Sequence, residues 1–359
     1  MKTKHEHHKK DEHDRTASKS EPPRFPRFKE FRQIFHSYKE FQNAPPLNFS
    51  IGGFLQNDAV TIIAGLSDHG KTLIACSIAK ALLKGPGRKL WNYFDVLESA
   101  PRVIYLIPES TIVPFKHRLQ LFNIYHFLEH QRLLVQTLSK GLQPDLKNET
   151  LLLAAKGATI FLDSAIRFGE GDENSAAVNQ RELATNCFNL LNAGARSVVV
   201  LHHSPKDFAH AKEMTLENML RGTGDKGGFA ATGWGIRMLD KESTIIHVQN
   251  IKPRDFEPCG PFQIVGRPYI DTKHNFRMHK PPGECGLLKD EMKAIKGNQG
   301  GASEKDRKQR ADHNEAVAQL LQKYPKATST ELVKLLKDLR IEVSAATVRS
   351  YPAWKDRKK

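Results

Sequence analysis

The chain has 359 residues, 39% of them hydrophobic and 26% charged, and a formal net charge of +15. This is enough apolar material for one large α/β domain and a smaller module, while no apolar run reaches the roughly 18 residues that a membrane span needs. Four cysteines (Cys76, Cys187, Cys259, Cys285) stand singly, a spacing that suits neither a disulfide framework nor a zinc module and points to a reducing, cytoplasmic setting.

Charge gathers at the ends. Residues 1–45 hold 11 Lys/Arg against 7 Asp/Glu, and residues 286–359 hold 17 against 10, which leaves the middle nearly neutral. Basic ends suit a polyanion such as DNA or RNA, whose counterions are released on binding; solubility tails produce the same composition. The first 19 residues are rich in His, Lys and Glu and have no apolar segment, so they are not a secretory signal. Their histidines suit either metal or plain solvation. With Glu21-Pro-Pro-Arg-Phe-Pro-Arg-Phe28 following, residues 1–45 read as a basic, largely disordered arm.

Residues 46–280 alternate short apolar runs with helical stretches, which predicts an α/β domain with a mainly parallel sheet. Buried strands are expected at Ala59–Ala64, Arg102–Ile107, Ala158–Leu162, Ser197–Leu201 and Thr244–Gln249. Helices are expected after Lys71, over Leu119–Leu138 and over Ala176–Ala193. Late strands are expected at Phe262–Val265 and Pro268–Asp271.

Between the first strand and the first helix lies Gly65-Leu66-Ser67-Asp68-His69-Gly70-Lys71-Thr72, a complete Gly-x-x-x-x-Gly-Lys-Thr phosphate-binding loop. Such a loop turns successive backbone N–H groups, and the helix N-terminus behind them, toward phosphate oxygens. Lys71 would reach the β- and γ-phosphates of ATP, and the Thr72 hydroxyl would ligate Mg²⁺. Asp163, ending the run Ala158-Thr-Ile-Phe-Leu162, is placed to reach the Mg²⁺ through its water shell. Ser164 follows it in place of a second acid, so the general base must come from another strand. Glu109, just past Arg102–Ile107 and Pro108, is the candidate.

Pro281-Pro-Gly and Gly297-Asn-Gln-Gly-Gly-Ala-Ser303 mark residues 281–312 as a linker. Residues 313–359 read as an all-α, helix-turn-helix-like domain with a basic tail. Val317, Leu320, Leu321 and Tyr324 form one helical face that Pro325 ends, and Leu332, Leu335, Leu336 and Leu339 form a second. Thr328 and Glu331 make a capping box, and Ser344 caps a third helix that stops before Pro352. Ala345, Thr347, Arg349 and Ser350 could enter a DNA groove, with residues 355–359 on phosphates; a protein-contacting or purely capping role fits the same pattern.

Over residues 50–265 the chain resembles the RecA-like ATPases of the hexameric replicative-helicase group, in particular the RepA type. The resemblance rests on Gly65–Thr72, Glu109, Asp163, Val198-Val-Val-Leu-His-His-Ser-Pro-Lys206 and Leu220-Arg-Gly-Thr-Gly224. It implies a RecA-like P-loop core, ATP hydrolysis with Mg²⁺, association with DNA and a homo-oligomer, with the hexamer as the group's pattern. It also implies that His203, with Lys206, senses the γ-phosphate or couples it to DNA-facing loops. One or more of Arg221, Lys252 and Arg254 would enter a neighbouring subunit's ATP site, where a fixed cation stabilises the transferring phosphoryl group. Two other functions fit the same residues: a DNA-binding regulator that uses ATP as an assembly signal, and a recombination or repair ATPase that coats DNA as a filament.

Overall fold

The computed structural model describes residues 35–138, 145–168, 176–220, 227–240, 244–266, 276–298, 304–339 and 341–356. Two units are distinguished, residues 1–48 and residues 49–359. In the first, Tyr38–Asn43 form a short helix within the arm expected to be disordered, closed by a capping box between Ser37 and Glu40. The His-rich start lies outside the described residues.

The second unit is built on a nine-stranded sheet. In chain order its strands are β1 (Ala59–Gly65), β2 (Arg102–Ile107), β3 (Leu133–Thr137), β4 (Ala158–Asp163), β5 (Ser197–His203), β6 (Thr232–Asp240), β7 (Ile245–Lys252), β8 (Phe262–Val265) and β9 (Arg277–Lys280). They lie in the order β9-β8-β7-β6-β1-β5-β4-β2-β3, parallel from β6 to β3 and antiparallel from β6 to β9. Helices α1 (Lys71–Lys84), α2 (Ile112–Leu121), α3 (Glu149–Ala155) and α4 (Ala176–Asn192) connect the parallel strands. This is the α/β architecture with a mainly parallel sheet that the alternation of runs implies.

Both faces of the parallel strands are covered, which is why their sequences are apolar throughout. Ile63, Val103, Tyr105, Phe161, Val199 and Leu201 point toward α1, and Val60, Ile62, Ile104, Ile160, Val198 and Val200 point to the opposite core. Ile74, Ile78 and Leu82 of α1 are buried in the first core, each worth about 1.5–3 kcal/mol of transfer free energy. Period-two alternation then fixes the strand ends: Asp163 shares the α1 face with Phe161, and His203 shares it with Leu201.

Two segments differ from expectation. The stretch 119–138 is not one helix, because α2 ends at Leu121 and Asn123 and Gln131 adopt positive φ, 53° each. A 3-10 turn at Tyr125–Leu128 intervenes, and Leu133–Thr137 form the edge strand β3 against β2. The segment 281–312, read as a linker, carries helix α5 (Leu288–Asn298) and the start of helix α6 (Glu304–Lys323). Leu288 is buried in the core, and the Glu291 carboxylate accepts from Gln263 Nε2 (2.7 Å), Lys280 Nζ (2.6 Å) and Gly286 N (2.9 Å). Pro268–Asp271 lies outside the described residues.

Near the C-terminus, α6, α7 (Ser329–Asp338), α8 (Ala345–Ser350) and α9 (Pro352–Asp356) close over Val317, Leu332, Leu336, Val348, Tyr351 and Trp354. The Thr328–Glu331 capping box is formed, and Ser344 accepts from Thr347 N at the start of α8. The described helix α9 begins at Pro352, where the sequence suggested only a stop; proline needs no N–H at a first helical position.

Candidate nucleotide site

After β1 the chain runs through α1 to β2, β3 and β4, returns to β5 beside β1, and then crosses to β6 on β1's other flank. Strand order therefore reverses around β1, and in open α/β sheets the crevice beyond the C-terminal strand ends at such a point takes ligands. Gly65 to Thr72 occupy that crevice.

Two glycines set the loop's path. A Cβ on Gly65 would lie 2.7 Å from Ile236 Cγ1 and 2.9 Å from the Ile236 carbonyl oxygen, so β6 leaves no room for a side chain. Gly70 has φ +85°, a left-handed conformation that turns the backbone into α1. His69 faces β6, its Nδ1 accepting from Met238 N at 3.2 Å.

The Lys71 side chain folds back over the loop. Its Nζ donates to the carbonyls of Gly65 (2.9 Å) and Leu66 (2.8 Å) and stands 3.2 Å from His203 Nδ1. Burial pulls the Lys71 ammonium down to about 8, against the opposing pull of Asp163, Asp68 and Glu109. Ser67 Oγ lies 3.4 Å from the same imidazole nitrogen.

Asp163 is 5% exposed at the end of β4. Its Oδ2 accepts from Thr72 Oγ1 at 2.8 Å and from Tyr105 OH at 3.0 Å. Burial raises the Asp163 pKa, and the two hydroxyls oppose that rise by solvating the carboxylate. Tyr105 itself is pushed well above the usual phenol range by burial and by the neighbouring Asp163 charge.

Glu109 follows Pro108 in the turn after β2. Its Oε1 accepts from Ser164 Oγ (2.9 Å) and Arg167 Nε (3.1 Å), and its Oε2 stands 4.0 Å from His203 Nε2. Lys71, Thr72, Glu109, Asp163 and His203 thus converge, from three strand ends and one helix start, on the mouth of the loop. His202 lies opposite Ala64 in the register while His203 lies opposite Gly65, so only the latter shares the loop's face.

Of the other expected cations, Lys252 is set back from the loop. Lys252 pairs with Gly233, which is level with Ile62, so it lies three residues back along β1 from Gly65, about 10 Å. Its Nζ donates to the carbonyls of Gly227 (2.5 Å) and Gly228 (3.2 Å). Arg254 is exposed two residues further on, and Lys206 is exposed on the 3-10 turn after β5. Arg221 lies outside the described residues.

Sequence reasoning missed Tyr105, Ser164 and Arg167. Tyr105 carried a usable signal: a tyrosine within a fully apolar strand must find a partner for its hydroxyl. Ser164 and Arg167 carried none, because a 3-10 turn at Ala165–Arg167 brings them to Glu109.

A family model described as an AAA domain matches residues 24–209, more than half of the chain. No curated protein matches. Among solved structures, a DnaB-like replicative helicase, studied with its interactions with primase, is similar at 14% identity and a TM-score of 0.46, over 71% of this chain and 67% of that one.

Proposed function

Since the chain belongs to the AAA-domain family, we propose that it binds ATP with Mg²⁺ on Gly65–Thr72 and hydrolyses it. The observation that carries this reading is the convergence of the buried Lys71 ammonium, the Thr72–Asp163 pair at 2.8 Å and the Glu109 carboxylate on one loop. Lys71 now spends its protons on two loop carbonyls, which a triphosphate's β- and γ-oxygens would replace as stronger, charge-assisted acceptors. Thr72 and Asp163 offer hard oxygen donors, directly and through water respectively. Among the described residues no group of three or more His, Cys, Asp or Glu could hold a metal alone, so Mg²⁺ would depend on the nucleotide's own oxygens. Bound there, the ion neutralises charge developing on the transferring phosphoryl group.

In this scheme Glu109 takes the proton of the attacking water. His203 lies between Lys71 and Glu109 and reports occupancy of the γ-phosphate position. Arg221, Lys252 or Arg254 serves the ATP of an adjacent copy, consistent with Lys252 standing level with Ile62, three residues back from the loop in its own sheet. We assign the assembly to a ring-forming, DNA-associated ATPase of RepA-type helicase character, with the basic ends and α7–α8 as the DNA-contacting elements. The excess of cations in residues 1–45 and 286–359 supports that partner. Residues 357–359 of the basic tail lie outside the described residues.

A second reading, a DNA-bound regulator with slow turnover, is favoured by one observation: Glu109 Oε1 is already engaged by two donors. Steady-state ATP turnover with and without single-stranded DNA separates the two. DNA-stimulated hydrolysis supports the helicase-type reading; ATP retention with no stimulation supports the regulator. Electron microscopy of the ATP-bound form then tells rings from filaments. Failure to retain labelled ATP in magnesium, with Lys71→Ala changing nothing, would sink both.

A further inference from the structure

We infer that Arg167 restrains the general base, so that Glu109 is held back until its ion pair with Arg167 opens; this rests on the proposed role of Glu109. Among the described residues, three groups face the Glu109 carboxylate. Ser164 Oγ and Arg167 Nε both donate to Oε1, at 2.9 and 3.1 Å, and His203 Nε2 faces Oε2 at 4.0 Å. Ser164 and Arg167 belong to the turn hung directly from Asp163, so the residue beside the metal position and the restraint on the base sit on one short segment.

The chemistry explains why this engagement opposes turnover. In hydrolysis the water oxygen bonds to the γ-phosphorus while the bond from that phosphorus to the β–γ bridging oxygen breaks, and the water's proton passes to the Glu109 carboxylate. A carboxylate whose Oε1 accepts from a guanidinium and a hydroxyl has that oxygen already occupied. It is also fixed in rotation, so it cannot swing to meet the water. The pair is suited to opening: Arg167 is 55% exposed and Glu109 31% exposed, so water can take over each partner. Ser164 is fully buried and anchors the arrangement from below.

The test measures basal ATP turnover of the full chain in magnesium for Arg167→Gln, Arg167→Lys, Glu109→Gln and the Arg167→Gln/Glu109→Gln double variant. Retention of a fluorescent ATP analogue is followed in parallel. The inference expects Arg167→Gln to raise kcat about fivefold, the factor that one partly exposed pair is worth, with KM and analogue retention unchanged. Arg167→Lys keeps a cation at the position and should stay close to the parent. The gain must vanish in the double variant. If kcat for Arg167→Gln is equal to or below the parent's while Glu109→Gln is inactive, the restraint is wrong and the base assignment stands. If Glu109→Gln turns over like the parent, the base assignment itself fails and the restraint with it.

Discussion

Lys71 Nζ stands 3.2 Å from His203 Nδ1, and the other nitrogen of that imidazole stands 4.0 Å from Glu109 Oε2. An ammonium has only donors, so Nδ1 accepts and the ring proton is placed on Nε2, on the Glu109 side. The loop lysine and the carboxylate are therefore joined through one neutral imidazole. His203→Ala would cut this path while leaving the loop carbonyls on Lys71. The expected result is a fall in kcat of about tenfold or more, with ATP analogue affinity within about threefold of the parent, as for an interaction made only in the transition state.

Lys71 also sets a pH limb. Burial holds its pKa at about 8, well below an exposed lysine, and phosphate binding requires the ammonium. In the free protein kcat/KM for ATP should fall as pH rises through about 8, approaching tenfold per unit above it. Stability runs the other way. The unfolded chain binds more protons here between pH 8 and 10.5, so this group's contribution to stability rises with pH across that window. A kcat/KM profile flat from pH 7 to 9.5 would contradict the buried, ionised lysine.

Gly65→Ala tests the loop's packing on β6. The added methyl would meet the Ile236 side chain at 2.7 Å and its backbone oxygen at 2.9 Å, and only the side chain can turn away. Overpacking of this kind costs about 1–3 kcal/mol. A lowered Tm together with loss of ATP analogue binding is expected, and trimming Ile236 to valine should recover only part of the loss.

The parts legible in the sequence were those governed by local chemistry. The loop needs its glycines, lysine and threonine whatever surrounds it, and four apolar runs could only be strands covered on both faces. Alternation along β5 separated His203 from His202. What stayed hidden depends on tertiary context. Strand β6 reads Thr232-Gly-Trp-Gly-Ile236, glycines that weaken any strand signal but make room for Met214 and Met219 against Gly235. Strand β3 was submerged in a leucine-rich stretch with helical spacing, and the breaks at Asn123 and Gln131 come from positive φ that those residue types only tolerate. Helix α5 followed Pro281-Pro-Gly283, and its docking rests on Glu291 meeting partners from β8 and β9.

Tyr105→Phe tests the support of Asp163. Losing the 3.0 Å hydroxyl bond leaves the carboxylate, among the described residues, with Thr72 as its remaining side-chain donor and should raise its pKa further. Hydrogen bonds to charged groups are worth about 1.5–3 kcal/mol. The variant should need more Mg²⁺ for half-maximal turnover at pH 6 than at pH 8, because a protonated Asp163 cannot serve the metal's shell. An Mg²⁺ titration at the two pH values that superimposes on the parent's would remove Tyr105 from the site.

Glu291 makes a stability prediction that leaves the loop untouched. Its pKa is lowered: burial acts to raise it, and bonds from Lys280, Gly286 and Gln263 outweigh that. A depressed carboxylate stabilises the fold above its unfolded pKa near 4.5 and loses that contribution as pH falls through the folded value. Glu291→Gln keeps the shape but weakens the charge-assisted bond to Lys280 Nζ, so a loss of about 1–2 kcal/mol is expected at pH 7. The loss should shrink as pH falls below about 4.5, where the unfolded chain takes up the proton first. Hydrogen exchange should quicken in α5, with its buried Leu288, before it quickens in β1 or β4, since α5 reaches the sheet through this cluster. Uniform quickening across all strands would mean that the Glu291 cluster is part of the global core and does not act as a clasp for one helix.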